Sequence, residues 1–120
     1  MNAPEETTAP RLQVEVVTLF PELVRGYLAA GVVGRALERG LVRVGTENPR
    51  SHATDVHGTV DDRPYGGGPG MVMKVEPLAT AIANAQARLP QRSPRIYLSA
   101  QGRPFTQDVA RELVATGSFL

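Results

Sequence analysis

The segment Val60-Asp61-Asp62-Arg63-Pro64-Tyr65-Gly66-Gly67-Gly68-Pro69-Gly70-Met71 gathers groups able to hold a polar ligand: two carboxylates, a guanidinium, a phenol and four glycines. A carboxylate here can accept hydrogen bonds from the N–H groups of a polar ligand, and a guanidinium can take a phosphate or a carboxylate through two parallel N–H bonds. Glycine has no Cβ, so its backbone groups can approach a ligand closely and adopt positive φ, while Pro64 and Pro69 limit the slack that glycine alone would leave. Adjacent residues of an extended segment project to opposite sides, so Asp61 and Asp62 are not expected to act as an acid/base pair on one ligand. The residues alone leave two plainer readings open: a cluster of structural turns, and an internal ion pair for Arg63.

Other chemistries fit the sequence poorly. The glycine run has no Gly-Lys-Ser/Thr ending, and Met71 stands where a third glycine of a dinucleotide fingerprint would fall after Gly66 and Gly68. His52 and His57, near Asp55 and Asp61, match no metal-ligand spacing, and with no cysteine present thiolate sites and disulfides are excluded. A different small-molecule α/β enzyme would need a catalytic base, and no serine, cysteine or histidine constellation offers one. The formal net charge of +1 is too small for a general nucleic-acid footprint, so any RNA contact must be local. Arg50, Arg88, Arg92, Arg95 and Arg103 are scattered and read mostly as a solvated face.

The elements that would hold the loop follow from hydrophobic patterning. The 120 residues suffice for one small domain of ordinary composition. Residues 1–11 read as a flexible, Glu-, Thr- and Pro-rich tail without the basic and apolar regions of a secretory signal, and residues 12–120 as the folded domain. No apolar run is long enough for a membrane span, and the chain reads as cytoplasmic. Leu12 to Phe20 suits a buried strand, Pro21 opens a helix carrying Leu23, Tyr27 and Leu28, and Gly31 breaks it. Val33 to Arg39 predicts a second helix stopped by Gly40, and Leu41 to Gly45 a second strand. Thr46 to Gly70 has little periodicity and predicts a long functional connection. A helix is expected from Glu76 to about Arg88 with Leu78, Ile82 and Ala85 on one face, then a strand over Arg95 to Leu98. Thr106 is placed to cap a helix from Gln107 to about Ala115, and Ser118-Phe119-Leu120 looks like the start of a strand. Alternating strands and helices imply an α/β fold with a mostly parallel sheet and flanking helices, with ligands near the strand ends at Leu98 to Gly102.

The loop, with Thr18-Leu19-Phe20-Pro21-Glu22, Gly34-Arg35-Ala36, Met71-Val72-Met73-Lys74 and Tyr97-Leu98-Ser99-Ala100-Gln101-Gly102-Arg103, resembles the bacterial tRNA (guanine-N1)-methyltransferases of the TrmD family from about Leu12 to Leu120. The resemblance implies the N-terminal part of a SPOUT-type trefoil-knot methyltransferase domain, with the knot incomplete in this chain. It implies transfer of a methyl group from S-adenosylmethionine to N1 of guanine 37, 3′ to the anticodon of tRNA. Asp61, Arg63, Tyr65, Gly66, Gly67, Gly68 and Gly70 would shape the guanine site; Tyr97, Leu98, Ser99, Ala100, Gln101 and Gly102 would line the S-adenosylmethionine pocket. Ala100 departs from the family, which usually has proline after the serine. The resemblance further implies a homodimer, possible assistance by magnesium at no identified site, and a general base supplied beyond Leu120, so that the chain alone is expected to be inactive. A non-catalytic RNA- or partner-binding α/β module is the alternative.

Overall fold

The computed structural model describes residues 9–90 and 92–120, so Met1 to Thr8 of the tail expected over residues 1–11 lie outside the described residues, while Arg11 already pairs with Leu41. Strand β1 (Leu12–Val17) is central: β2 (Val42–Glu47) lies parallel to it on one side and β5 (Ser118–Phe119) on the other. The β1–β2 register runs from Leu12↔Val42 to Val17↔Glu47, and the N–H of Arg11 already donates to Leu41 O at 2.8 Å. Val14, Val16 and Val17 suit a pleated strand because branching at Cβ favours extended backbone. β1 ends before the predicted Phe20. The Thr18 N–H makes a last bond to Glu47 O, 3.0 Å, and the Thr18 hydroxyl then accepts from the Phe20 N–H and turns the chain away.

A parallel neighbour requires a crossover, supplied by α1 (Pro21–Leu28) and α2 (Gly31–Glu38). Pro21 occupies the first turn of α1 as predicted, and Gly31, at φ +67°, separates the helices. α2 starts two residues before the expected Val33, and Gly40 follows its end with φ +72°. Gly34 is needed for space: a Cβ there would lie 2.6 Å from the Ala29 carbonyl oxygen.

Helix α3 (Val75–Ala87) packs on β1, β2 and the 3-10 turn Pro49–His52. Its buried ridge is Pro77, Ala81 and Ala85, continued by Leu89; the expected Leu78 and Ile82 are only half-buried. Small side chains at i, i+4 and i+8 let the helix sit close to its neighbours, with Val60 and fully buried Pro49 completing the core. Helix α4 (Gln107–Thr116) begins as predicted, with Thr106 Oγ1 accepting the Val109 N–H at 3.3 Å, and ends on left-handed Gly117 before β5.

The strand expected over Arg95 to Leu98 does not form. Ile96 N–H donates to Leu120 O at 2.7 Å and Leu120 N–H to Pro94 O at 3.0 Å, but this ladder ends at once. Tyr97 and Leu98 stand exposed instead of entering a core.

Candidate functional site

The glycine segment forms the tip of a hairpin that periodicity did not reveal. β3 (Asp61–Asp62) pairs antiparallel with β4 (Val72–Met73), placing Asp61 opposite Met73 and Asp62 opposite Val72. The stem is rooted by buried Val60, whose carbonyl accepts the Lys74 N–H at 2.6 Å. At the tip, Pro64 O accepts the Gly67 N–H at 3.1 Å, with Gly66 where such a turn needs positive φ. Gly66, Gly67, Gly68 and Gly70 have φ of +80°, +87°, +110° and +84°. Nothing lies within 4 Å of where their Cβ atoms would sit, so backbone conformation, not crowding, demands glycine. Tyr65 projects fully into solvent, and among the described residues Arg63 makes no ion pair.

The long connection before the hairpin is ordered by its own polar groups. Asn48 caps the 3-10 turn by accepting the Arg50 N–H, and the Arg50 guanidinium donates to Gly58 O at 2.7 Å. Asp55 accepts from the Thr59 hydroxyl and N–H, bonds that hold its carboxyl below the ordinary range. Between this loop, the hairpin stem and the start of α3 lies an open cleft of about 730 Å³, lined by His52, Thr54, Thr59, Asp62, Lys74 and Glu76, among others. Asp62 lines it and Asp61 does not, as alternation along a strand requires. Among the described residues no group of three or more His, Asp or Glu side chains is placed to hold a metal ion.

Beneath the cleft lies a charged network that the sequence reading missed. Glu15, on central β1, is buried and receives two bonds from Arg88: Nε to Oε1 at 3.1 Å and Nη2 to Oε2 at 2.9 Å. Arg88 Nη1 also meets Glu47 Oε2 at 2.8 Å, and Glu47 Oε1 accepts from His52 Nε2 at 2.5 Å. Burial pushes the Glu47 carboxyl up, but the bonds from His52 and Arg88 outweigh it and leave it below its usual range. The Arg88 guanidinium is held still more firmly protonated than usual, first by Glu15 and then by Glu47. Arg88 is thus the centre of an ion network, not part of a solvated face. Arg50, Arg95 and Arg103 likewise have separate partners in Gly58, Gln86 and Glu112. The signal available was Glu15 itself, a carboxylate inside an apolar strand that must find a cation.

The predicted cofactor segment lies apart from the hairpin stem in sequence and leaves the sheet beside β5. Ser99 organises it: its carbonyl accepts the Gly102 N–H at 3.1 Å and its hydroxyl the Gln101 N–H at 3.2 Å. Ser99 therefore closes the turn without the proline usual at position 100. Among the described residues the backbone N–H groups of Tyr97, Leu98 and Ser99 have no protein partner. Free backbone donors just past the Ile96–Leu120 pairing fit a candidate ligand read through main-chain bonds.

A parallel sheet with a helical crossover defines an α/β domain, with the glycine-tipped hairpin and the main-chain-rich turn after Ile96 as its candidate binding elements. The chain belongs to the family described as tRNA (Guanine-1)-methyltransferase TrmD, whose model matches residues 12–120. It is similar to the tRNA (guanine-N(1)-)-methyltransferase of Xanthomonas campestris pv. campestris (strain 8004), with 54% identity over 102 residues, 85% of this chain and 40% of that protein. The like-named protein of Oleidesulfovibrio alaskensis is 53% identical over 91% of this chain and 24% of its own length. The crystal structure of tRNA (m1G37) methyltransferase from Aquifex aeolicus superposes with a TM-score of 0.78 at 32% identity, covering 92% of this chain and 49% of that one. The chain thus spans less than half the length of each of these relatives.

Proposed function

We propose that this chain serves a tRNA methyltransferase, in which a methyl group passes from S-adenosylmethionine to N1 of guanine 37. The observation that carries the reading is the hairpin tip, where four glycines held at positive φ occur within a chain matched to this family from residue 12 to residue 120. Asp61, Arg63, Tyr65, Gly66, Gly67, Gly68 and Gly70 are assigned to the guanine and its flanking tRNA. An Asp61 carboxylate can accept from the base's donor edge, Arg63 is available for a phosphate, and the glycine backbone permits the close approach that orientation demands. Tyr97 to Gly102 are assigned to the methyl donor, with the unpartnered N–H groups of Tyr97, Leu98 and Ser99 as the recognising groups. The donor supplies an electrophilic methyl on a sulfonium. Guanine N1 carries a proton at neutral pH, so transfer also needs a general base, and no residue of this chain is assigned that role. Action as a homodimer in the cytoplasm, and assistance by magnesium, belong to the same reading.

The test is incorporation of labelled methyl from S-adenosylmethionine into unmodified tRNA bearing guanine 37, with the chain alone and with a longer homologue as positive control. The expected result is binding of an anticodon stem-loop without methyl transfer by the chain alone. Transfer by the chain alone would place a base within it, and absence of both binding and transfer would count against the assignment of the hairpin to tRNA.

A further inference from the structure

The Glu15–Arg88–Glu47–His52 network is not used by the proposed chemistry, yet it ends on a wall of the cleft. His52 is the last residue of the 3-10 turn, lines the cleft with Thr54, and begins the loop that returns to the hairpin at Val60. A carboxylate oxygen can only accept, so the His52–Glu47 bond at 2.5 Å puts a hydrogen on His52 Nε2. Two carboxylates and one guanidinium leave the network with one net negative charge, and protonated His52 closes the balance.

We propose that His52 is a pH-responsive latch: when protonated it binds Glu47 as an ion pair and holds the 3-10 turn and the following loop against α3 and β2, and when neutral it loosens that wall of the cleft. The groups facing it are few. β2 contributes Glu47, and β1 contributes Glu15 through Arg88. α3 contributes the Asn84 amide at 3.5 Å from Nε2 and Glu76 across the cleft, and the residue capping its end is Arg88. Asp62 and Lys74 face it from the hairpin stem, while on its own turn and loop Arg50 is committed to Gly58 and Asp55 to Thr59. None of these is placed to replace the Glu47 contact.

Direction follows from the chemistry. Glu47 remains ionised down to below the ordinary carboxylate range, so the acceptor side of the latch stays charged above that range. With a neutral His52 ring the contact is an ordinary hydrogen bond, weaker than a charge-assisted one.

The experiment is amide hydrogen exchange of the 120-residue chain, corrected for intrinsic rates, from about pH 5 to about pH 9, with the two histidine rings titrated by NMR on the same samples. Protection at residues 51–60 is expected to fall about fivefold through the pH at which the His52 ring titrates, the usual gap between charge-assisted and neutral bonds. Glu47→Gln, which keeps an acceptor but removes the charge, is expected to abolish the step, and His57→Gln to leave it intact. A flat profile across the His52 titration, a step that follows His57, or a step unchanged in Glu47→Gln would overturn the latch.

Discussion

The Glu15 carboxylate occupies the space that a side chain at residue 45 would fill. The two residues are register partners across the β1–β2 ladder, and a Cβ on Gly45 would fall well inside contact distance of both Glu15 carboxylate oxygens. Arg88 pins those oxygens from the other side. A glycine in mid-strand normally weakens a sheet, and here it accommodates a buried ion pair.

Gly45→Ala is therefore expected to displace Glu15 from Arg88 and to destabilise the chain by about 1–3 kcal/mol, the range for forcing an extra group into a packed site. Urea unfolding checks it. An unchanged midpoint would mean that the carboxylate finds an equally good position.

Arg88→Met removes the shared cation from two poorly solvated carboxylates. Breaking a buried pair costs about 3–5 kcal/mol, and because the Arg88 side chain is 43% exposed a loss near about 2 kcal/mol is expected. Adding Glu15→Gln to that variant should recover part of the loss. A double variant no more stable than the single one would count against direct coupling between the two side chains.

The Glu47 carboxyl is lowered in the folded chain, so it binds protons less readily there than when unfolded. Its contribution is fully present above the ordinary carboxylate range and is lost as pH falls through its lowered value. Stability measured from neutral pH downward should decline over that window, and Glu47→Gln should show a shallower decline. Equal slopes would assign the acid loss to other carboxylates.

Much of this architecture was legible in the sequence, and the failures have physical causes. Pro21, Gly40, Thr106 and the end of α4 were readable because each signal is local: a fixed φ, a positive φ or a capping hydroxyl. The glycine segment stood out as a candidate site, but its hairpin did not. Asp61, Asp62, Val72 and Met73 show no alternation of core and surface, being exposed on both strands. Leu78 and Ile82 were favoured over Pro77 and Ala81 because bulk was taken as the mark of burial, whereas close approach of α3 selects small residues. Arg95 to Leu98 has strand composition, but composition does not show which backbone groups pair, and here, among the described residues, only Pro94 and Ile96 meet Leu120.

Gly34→Ala and Gly67→Ala should separate the two uses of glycine. The first pushes a Cβ to 2.6 Å from backbone at Ala29, which has no flexible end to move, and should cost about 1–3 kcal/mol of global stability. The second meets no neighbour and strains only its own backbone, at about 1 kcal/mol confined to the hairpin tip. Its larger effect should be on affinity for an anticodon stem-loop, read by fluorescence anisotropy. Loss of global stability without loss of affinity in Gly67→Ala would reverse these roles.

The pairing of β1 with β5 joins Gln13 to Ser118, nearly the full span of the sequence. On a ribosome, β1 emerges well before β5 and must wait for its second neighbour until the intervening residues have been made. Closing so long a segment is entropically slow, as in other chains dominated by distant contacts. Throughout that delay one hydrogen-bonding edge of β1 is open to any extended peptide nearby, so the interval between the two pairings is when this fold is most exposed to association with the wrong strand.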